Sequence, residues 1–151
     1  MIKRYITIIF ISFLFLGCAK NNESERLSNY LQGFNDQIQN YKVVCILPAD
    51  GCSSCIKPTI DYSKIANGDF LLILTSYYKK SIKDIIEDNG LDSTKIKMDS
   101  KNLASIKQLV WVTAPCYYFI RNGKVIKVVD LSKVDDKFAI IKEADNFLNT
   151  E

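Results

Sequence analysis

The chain alternates between segments with helical and with extended hydrophobic patterns. Apolar side chains recur at helical spacing from Leu27 to Ile38, which predicts an amphipathic helix over about 24–40. The wholly apolar runs at 43–47 and 70–74 are typical of strands buried on both faces. These two runs are therefore predicted to form the centre of a sheet.

Further elements follow each of these runs. The pattern predicts helices over about 53–66, 81–90, 103–109 and 132–148, and strands over 95–99, 116–120 and 125–129. Ile65 and Phe138 are expected to face inward from their helices. Asn122-Gly123 is a strong hairpin signal between the last two strands.

This order of elements predicts an α/β fold. Strand–helix–strand units imply parallel pairing with right-handed crossovers, whereas the hairpin adds antiparallel strands at one edge. We expect a mixed central sheet with helices on both faces, preceded by an N-terminal helix.

Composition narrows the function. The 151 residues are 48% hydrophobic and 25% charged, which is the profile of one globular domain. A net charge of +3 is too small to indicate a nucleic-acid surface, and no nucleic-acid partner is expected. The absence of histidine excludes His-based triads and His-ligated metals. The five cysteines are the remaining reactive side chains of note.

The first residues have the pattern of a processing signal. Lys3 and Arg4 precede an apolar run from Tyr5 to Leu16, which is too short to span a bilayer as a helix. The run ends in Leu-Phe-Leu-Gly-Cys18, which resembles a bacterial lipobox. The resemblance implies a signal peptide at 1–17, lipid on Cys18, a tether at 18–23, and an extracytoplasmic protein anchored to the periplasmic or surface side of a membrane. An uncleaved anchor or ordinary secretion are the alternatives.

Four cysteines remain beyond the lipobox, namely Cys45, Cys52, Cys55 and Cys116, and sequence alone leaves all three pairings open.

Cys52-Ser53-Ser54-Cys55 lies where the first buried strand gives way to a helix. Residues three apart on a first helical turn share one face, at a spacing that a disulfide can close. Unpaired backbone N–H groups and the helix dipole there favour a thiolate at Cys52. A thiolate with a second thiol one turn later is the minimal apparatus for thiol–disulfide exchange.

Two segments resemble the thioredoxin superfamily. Residues 43–58 are similar to its strand–turn–CxxC–helix segment, and residues 113–125 are similar to its cis-proline strand and following hairpin. The resemblance covers about 41–151, within a predicted domain of 24–151, and is greatest to the membrane-tethered reductases of the TlpA/ResA type.

The resemblance implies a specific activity. Cys52 is then the nucleophile and Cys55 the resolving thiol of a disulfide reductase. Pro115 would follow a cis bond and pack against the pair, and the backbone of Ala114 would pair with substrate. The implied partners are protein thiols and disulfides and an upstream redox donor, with no small-molecule cofactor and no metal.

The chain departs from the family at several positions. Gly51 stands where tryptophan is usual, Pro58 comes early in the helix, and the buried acidic position falls at Ile46. The alternative function is a redox-inactive binding module for Cu(I), zinc or a partner, with Cys116 as a third sulfur. Cys116 could also be a regulatory partner of Cys52 or an ordinary core residue, and Cys45 is expected to be a small buried hydrophobe.

Overall fold

The computed structural model describes residues 22–110 and 113–150. Strands and helices alternate along them, and a few short 3-10 turns join them. The five strands are β1 (Val43–Pro48), β2 (Phe70–Thr75), β3 (Ile96–Asp99), β4 (Cys116–Arg121) and β5 (Lys124–Asp130). The five α-helices described are α1 (Asn22–Leu31), α2 (Ser53–Ser63), α3 (Lys79–Asn89), α4 (Leu103–Ile106) and α5 (Lys137–Leu148).

The strands form one sheet in the order β3-β2-β1-β4-β5. β1, β2 and β3 pair in parallel, whereas β4 is antiparallel to both β1 and β5. Asn122 and Gly123 take positive φ values of 53° and 69° between β4 and β5, as a tight hairpin turn requires. The predictions of a mixed sheet and of this hairpin are confirmed.

The side chains of each strand alternate between two core clusters. Val43, Cys45 and Leu47 of β1 point into the first core cluster, which α2, α3 and α5 cover. Val44 and Ile46 point into the second core cluster, which α1 and α4 cover. Helices therefore lie on both faces of the sheet, and β1 is buried along its whole length.

Several details of the helices differ from the predictions. The last helix begins at Lys137 rather than near 132, because residues 131–133 form a 3-10 turn and Asp136 is the N-cap. The N-terminal helix ends at Leu31, because Asn35 takes a left-handed conformation and two 3-10 turns replace the helix. Ile65 lies beyond the end of α2 and is 80% exposed. Phe138 lies on the outer side of α5 and is 70% exposed, since Ile140 and Ala144 supply the buried face.

The predictions for the N-terminus concern residues outside the described part of the chain. These are the signal peptide at 1–17, the lipidated Cys18 and most of the tether. Among the described residues, no helix combines the length and the apolar character needed to cross a bilayer.

Candidate dithiol site

The two cysteines of the CxxC segment occupy the first turn of α2. Cys52 is the N-cap residue, with the extended backbone angles φ −68° and ψ 120°. Its carbonyl accepts hydrogen bonds from the backbone N–H of Cys55 at 2.9 Å and of Ile56 at 3.1 Å. Cys52 is exposed, whereas Cys55 is only 3% exposed, and both are free thiols. An incoming disulfide can thus reach one sulfur while the other is shielded beneath it.

The surroundings of Cys52 favour its thiolate. Its Sγ lies 3.0 Å from the Ser54 hydroxyl oxygen. That hydroxyl, the nearby backbone N–H of Ser54 and the thiol of Cys55 lower the pKa of Cys52 to about 7. Sγ does not reach capping geometry with the helix N–H groups, so they act on it as oriented dipoles. A substantial fraction of Cys52 is therefore thiolate at neutral pH.

The segment before β4 lies against this turn. The backbone N–H of Cys52 donates to the Thr113 carbonyl at 3.0 Å. A Cβ placed on Gly51 would stand 3.0 Å from that carbonyl oxygen and 3.1 Å from the oxygen of Pro48. This close approach requires a residue without a side chain, which accounts for glycine at 51. The structure thus brings together two segments that lie about sixty residues apart in the sequence.

The prediction of a cis bond before Pro115 is wrong, and substrate pairing at the backbone of Ala114 stays a prediction. No peptide bond among the described residues is cis, so the Ala114–Pro115 bond is trans. Trans is the lower-energy isomer, and the adjoining backbone is already bonded, with Leu131 N–H donating to the Pro115 carbonyl at 3.0 Å. Ala114 is 2% exposed and Pro115 is also buried, so substrate pairing at Ala114 would require this segment to open.

A buried chain of hydroxyl groups supports Cys55 from behind. The Thr59 hydroxyl donates to the Cys55 carbonyl at 3.1 Å, and the Tyr117 hydroxyl donates to Thr59 Oγ1 at 3.0 Å. Pro58, inside α2, has no N–H to give to the carbonyl four residues earlier. The side-chain bonds therefore support the Cys55 carbonyl, which is next to the Ser54 carbonyl that Pro58 leaves without its helical donor.

The turn before Cys52 is anchored to the end of β2. Ala49 N–H donates to the Thr75 carbonyl at 2.8 Å, and the Ser76 hydroxyl donates to the carboxylate of Asp50. The two residues that follow, Tyr77 and Tyr78, are 62% and 69% exposed. Aromatic surface is therefore available on the segment that meets this turn.

The face of β1 toward Cys55 carries no acidic residue. Ile46 points into the second core cluster, on the opposite side of the sheet from Cys55. The β1 residues on the Cys55 side are Val43, Cys45 and Leu47. Ile46, where the resemblance implied the buried acidic position, therefore faces away from Cys55, and the β1 residues that face Cys55 are not acidic.

The other two cysteines are buried free thiols. Burial raises the pKa of the Cys45 thiol and that of Cys116, the latter to about 12. Cys116 points into the second core cluster, whereas Cys55 lies in the first. Within residues 22–110 and 113–150, no group of three or more potential ligands is placed to hold a metal ion. The arrangement thus does not supply the third sulfur that the metal-binding alternative needs.

Lys137 is the site residue that sequence reasoning missed. It is the first residue of α5, a helix that packs against α2 in the first core cluster. Its Nζ lies 3.4 Å from the Ser54 Oγ that contacts Cys52. One signal was available, because a basic residue in a first helical turn opposes the helix dipole.

Comparison with known proteins assigns no family to this arrangement. No family model, curated protein or solved structure matches the chain. The chemistry of the site depends on an exposed acidic thiol, a shielded second thiol and a nearby ammonium group.

Proposed function

We propose that this protein is a lipid-anchored, extracytoplasmic thiol–disulfide oxidoreductase with a thioredoxin-like fold, working as a disulfide reductase through Cys52 and Cys55. The observation that carries the proposal is the pairing of an exposed Cys52 thiol, whose pKa is about 7, with a shielded thiol one helical turn later. Reactive cysteines are found in such partly exposed, thiolate-favouring surroundings, whereas structural cysteines are buried and inert.

The first step is attack by the Cys52 thiolate on a partner's disulfide. A bond forms between the Cys52 sulfur and one partner sulfur, and the partner's S–S bond breaks. The second partner sulfur leaves as a thiolate and takes a proton from solvent. The product is a mixed disulfide between Cys52 and the partner.

The second step is resolution by Cys55. Its thiol loses a proton and attacks the Cys52 sulfur, and the partner's remaining thiolate leaves. The partner has gained two electrons and the pair has become a disulfide. A reduced upstream donor then returns the pair to the dithiol by the same exchange in reverse. No small-molecule cofactor takes part in this cycle.

The arrangement around the pair supports a thioredoxin-like identity. A dithiol follows the central parallel strand, the segment before β4 lies against it, and a hairpin completes the sheet. Ligands of open α/β sheets commonly bind outside the carboxyl ends of the parallel strands, which is where Cys52 stands. The proposal of a membrane anchor rests on the lipobox-like sequence at Cys18.

The test is reduction of insulin disulfides by the full chain in mild detergent, with dithiothreitol as the electron donor. The unmodified protein and Cys116→Ala should both accelerate reduction, because Cys116 lies outside the pair. Cys52→Ser should lose the acceleration, and Cys55→Ser should accumulate a mixed disulfide on Cys52. Equal turnover by the unmodified protein and Cys52→Ser would reject the proposal.

A further inference from the structure

A lysine, a serine and a cysteine from two helices form a connected group at the dithiol site. Lys137 Nζ is 3.4 Å from Ser54 Oγ, and Ser54 Oγ is 3.0 Å from Cys52 Sγ. Lys137 is partly exposed at the start of α5, and Ser54 lies in the first turn of α2. The packing of α5 against α2 thus sets a positive charge beside the two sulfurs.

The other charged groups around the pair are engaged elsewhere. Asp50, two residues before Cys52, accepts the Ser76 hydroxyl, and Asp136 caps α5 through Ala139 N–H at 3.1 Å. Lys57, one turn along α2, pairs with Asp61 at 2.9 Å. Lys137, in contrast, contacts the Ser54 hydroxyl that lies beside Cys52.

We propose that Lys137 is a positioning residue of the dithiol site, which acts through Ser54 to hold a positive charge that favours the thiolate form of Cys52. The effect of Lys137 on catalysis rests on the proposed oxidoreductase function, whereas the effect of Lys137 on the thiolate form of Cys52 does not. It goes beyond that function by naming a charged group that contributes to the pH range of the attack.

The electrostatics of Lys137 are consistent with this role. The pKa of Lys137 is raised mainly by the Cys55 sulfur, which acts as a hydrogen-bond partner and as a negative charge. The negative charge of Cys52 raises the pKa of Lys137 to a lesser extent. Because proton binding at two interacting sites is reciprocal, the part of this rise that comes from Cys52 is matched by an equal stabilisation of the Cys52 thiolate by the ammonium group.

The position of Lys137 at the first residue of α5 is also consistent with this role. A lysine at the first residue of a helix is repelled by the helix dipole. A thiolate nearby offsets that repulsion. The chain has no histidine, so a lysine supplies the positive charge that a histidine could otherwise place beside the sulfurs.

The experiment measures the pH dependence of Cys52 alkylation by iodoacetamide in the reduced full chain, read for each cysteine by mass spectrometry. Lys137→Met keeps the length of the side chain and removes its charge. We expect its alkylation midpoint to rise by about half to one pH unit, with a roughly threefold lower rate at pH 7. Lys137→Arg should restore the original profile because it keeps the charge.

Lys142→Met is the matched control, since Lys142 is an exposed lysine of the same helix away from the sulfurs. Ser54→Ala removes the intermediate hydroxyl and should shift the midpoint in the same direction as Lys137→Met. An unshifted Lys137→Met profile, or an equal shift in Lys142→Met, would overturn the inference. Insulin reduction with an unshifted Lys137→Met profile rejects only the lysine's role. A shifted profile without insulin reduction by the unmodified chain rejects only the oxidoreductase function.

Discussion

Two polar groups at the same edge of the sheet have opposite surroundings. Asp99, the last residue of β3, is 3% exposed, and its Oδ2 accepts the Tyr30 hydroxyl at 3.0 Å and Ala104 N–H at 2.8 Å. The Thr75 hydroxyl lies 3.1 Å from the same oxygen. Cys52, which follows β1, is exposed and has one hydroxyl within hydrogen-bonding distance.

The difference distinguishes a site that stabilises the fold from a site that can react. The carboxylate of Asp99 is surrounded by donors from α1, β2 and the start of α4, so it joins elements of the fold and is closed to solvent. The sulfur of Cys52 is stabilised as a thiolate but left open to an incoming group. Substitutions at the first site should therefore change stability, and substitutions at the second should change reactivity.

The largest expected effect is that of Asp99→Ala. It leaves the Tyr30 hydroxyl and Ala104 N–H buried without their acceptor, which should lower the free energy of unfolding by about 3 kcal/mol. The measurement is the midpoint of urea unfolding. Asp88→Ala, an exposed position on α3, should change it by less than about 0.5 kcal/mol. Equal midpoints for the two variants would contradict the structural role of Asp99.

A smaller effect is expected from Gly51→Ala, at the contact between the turn before Cys52 and the segment before β4. Gly51→Ala sets a Cβ 3.0 Å from the Thr113 carbonyl oxygen, and both atoms that it meets most closely belong to the backbone. We expect a loss of about 1–2 kcal/mol in unfolding free energy and slower insulin reduction, because the turn must shift.

Gly68→Ala is the matched control, since nothing lies within 4 Å of a Cβ at Gly68 and its φ is not positive. It should leave insulin reduction unchanged and be neutral or slightly stabilising, because alanine restricts the unfolded chain. If the two alanine variants behaved alike, the close contact at Gly51 would be without consequence.

The parts of the fold that could be predicted depend on local pattern. Apolar runs predicted β1 and β2, and Asn122-Gly123 predicted the hairpin. In each case the sequence pattern and the element that it predicts cover the same few residues. The end of the first helix was missed. There, Asp36 accepts hydrogen bonds from Gln37 N–H and the Tyr41 hydroxyl, and these favour the turns over a continued helix.

The site was predictable only in part for the same reason. The spacing of Cys52 and Cys55 placed both on one helical turn, and the position after a buried strand placed them at the sheet edge. The contact of Lys137 with Ser54 joins residues 83 positions apart and depends on how α5 packs on α2. The prediction that Phe138 faces inward was wrong because it also depends on how α5 packs. Ile140 and Ala144 complete the buried face of that helix instead.

The most direct test of the central claim is redox titration of the full chain in glutathione buffers of stepwise composition, with each cysteine state identified by mass spectrometry. We expect a disulfide between Cys52 and Cys55 that forms and opens reversibly, while Cys45 and Cys116 stay reduced because both are buried and Cys116 lies in the other core cluster. A chain in which Cys52 carries only bound glutathione, and never closes onto Cys55, would contradict the account.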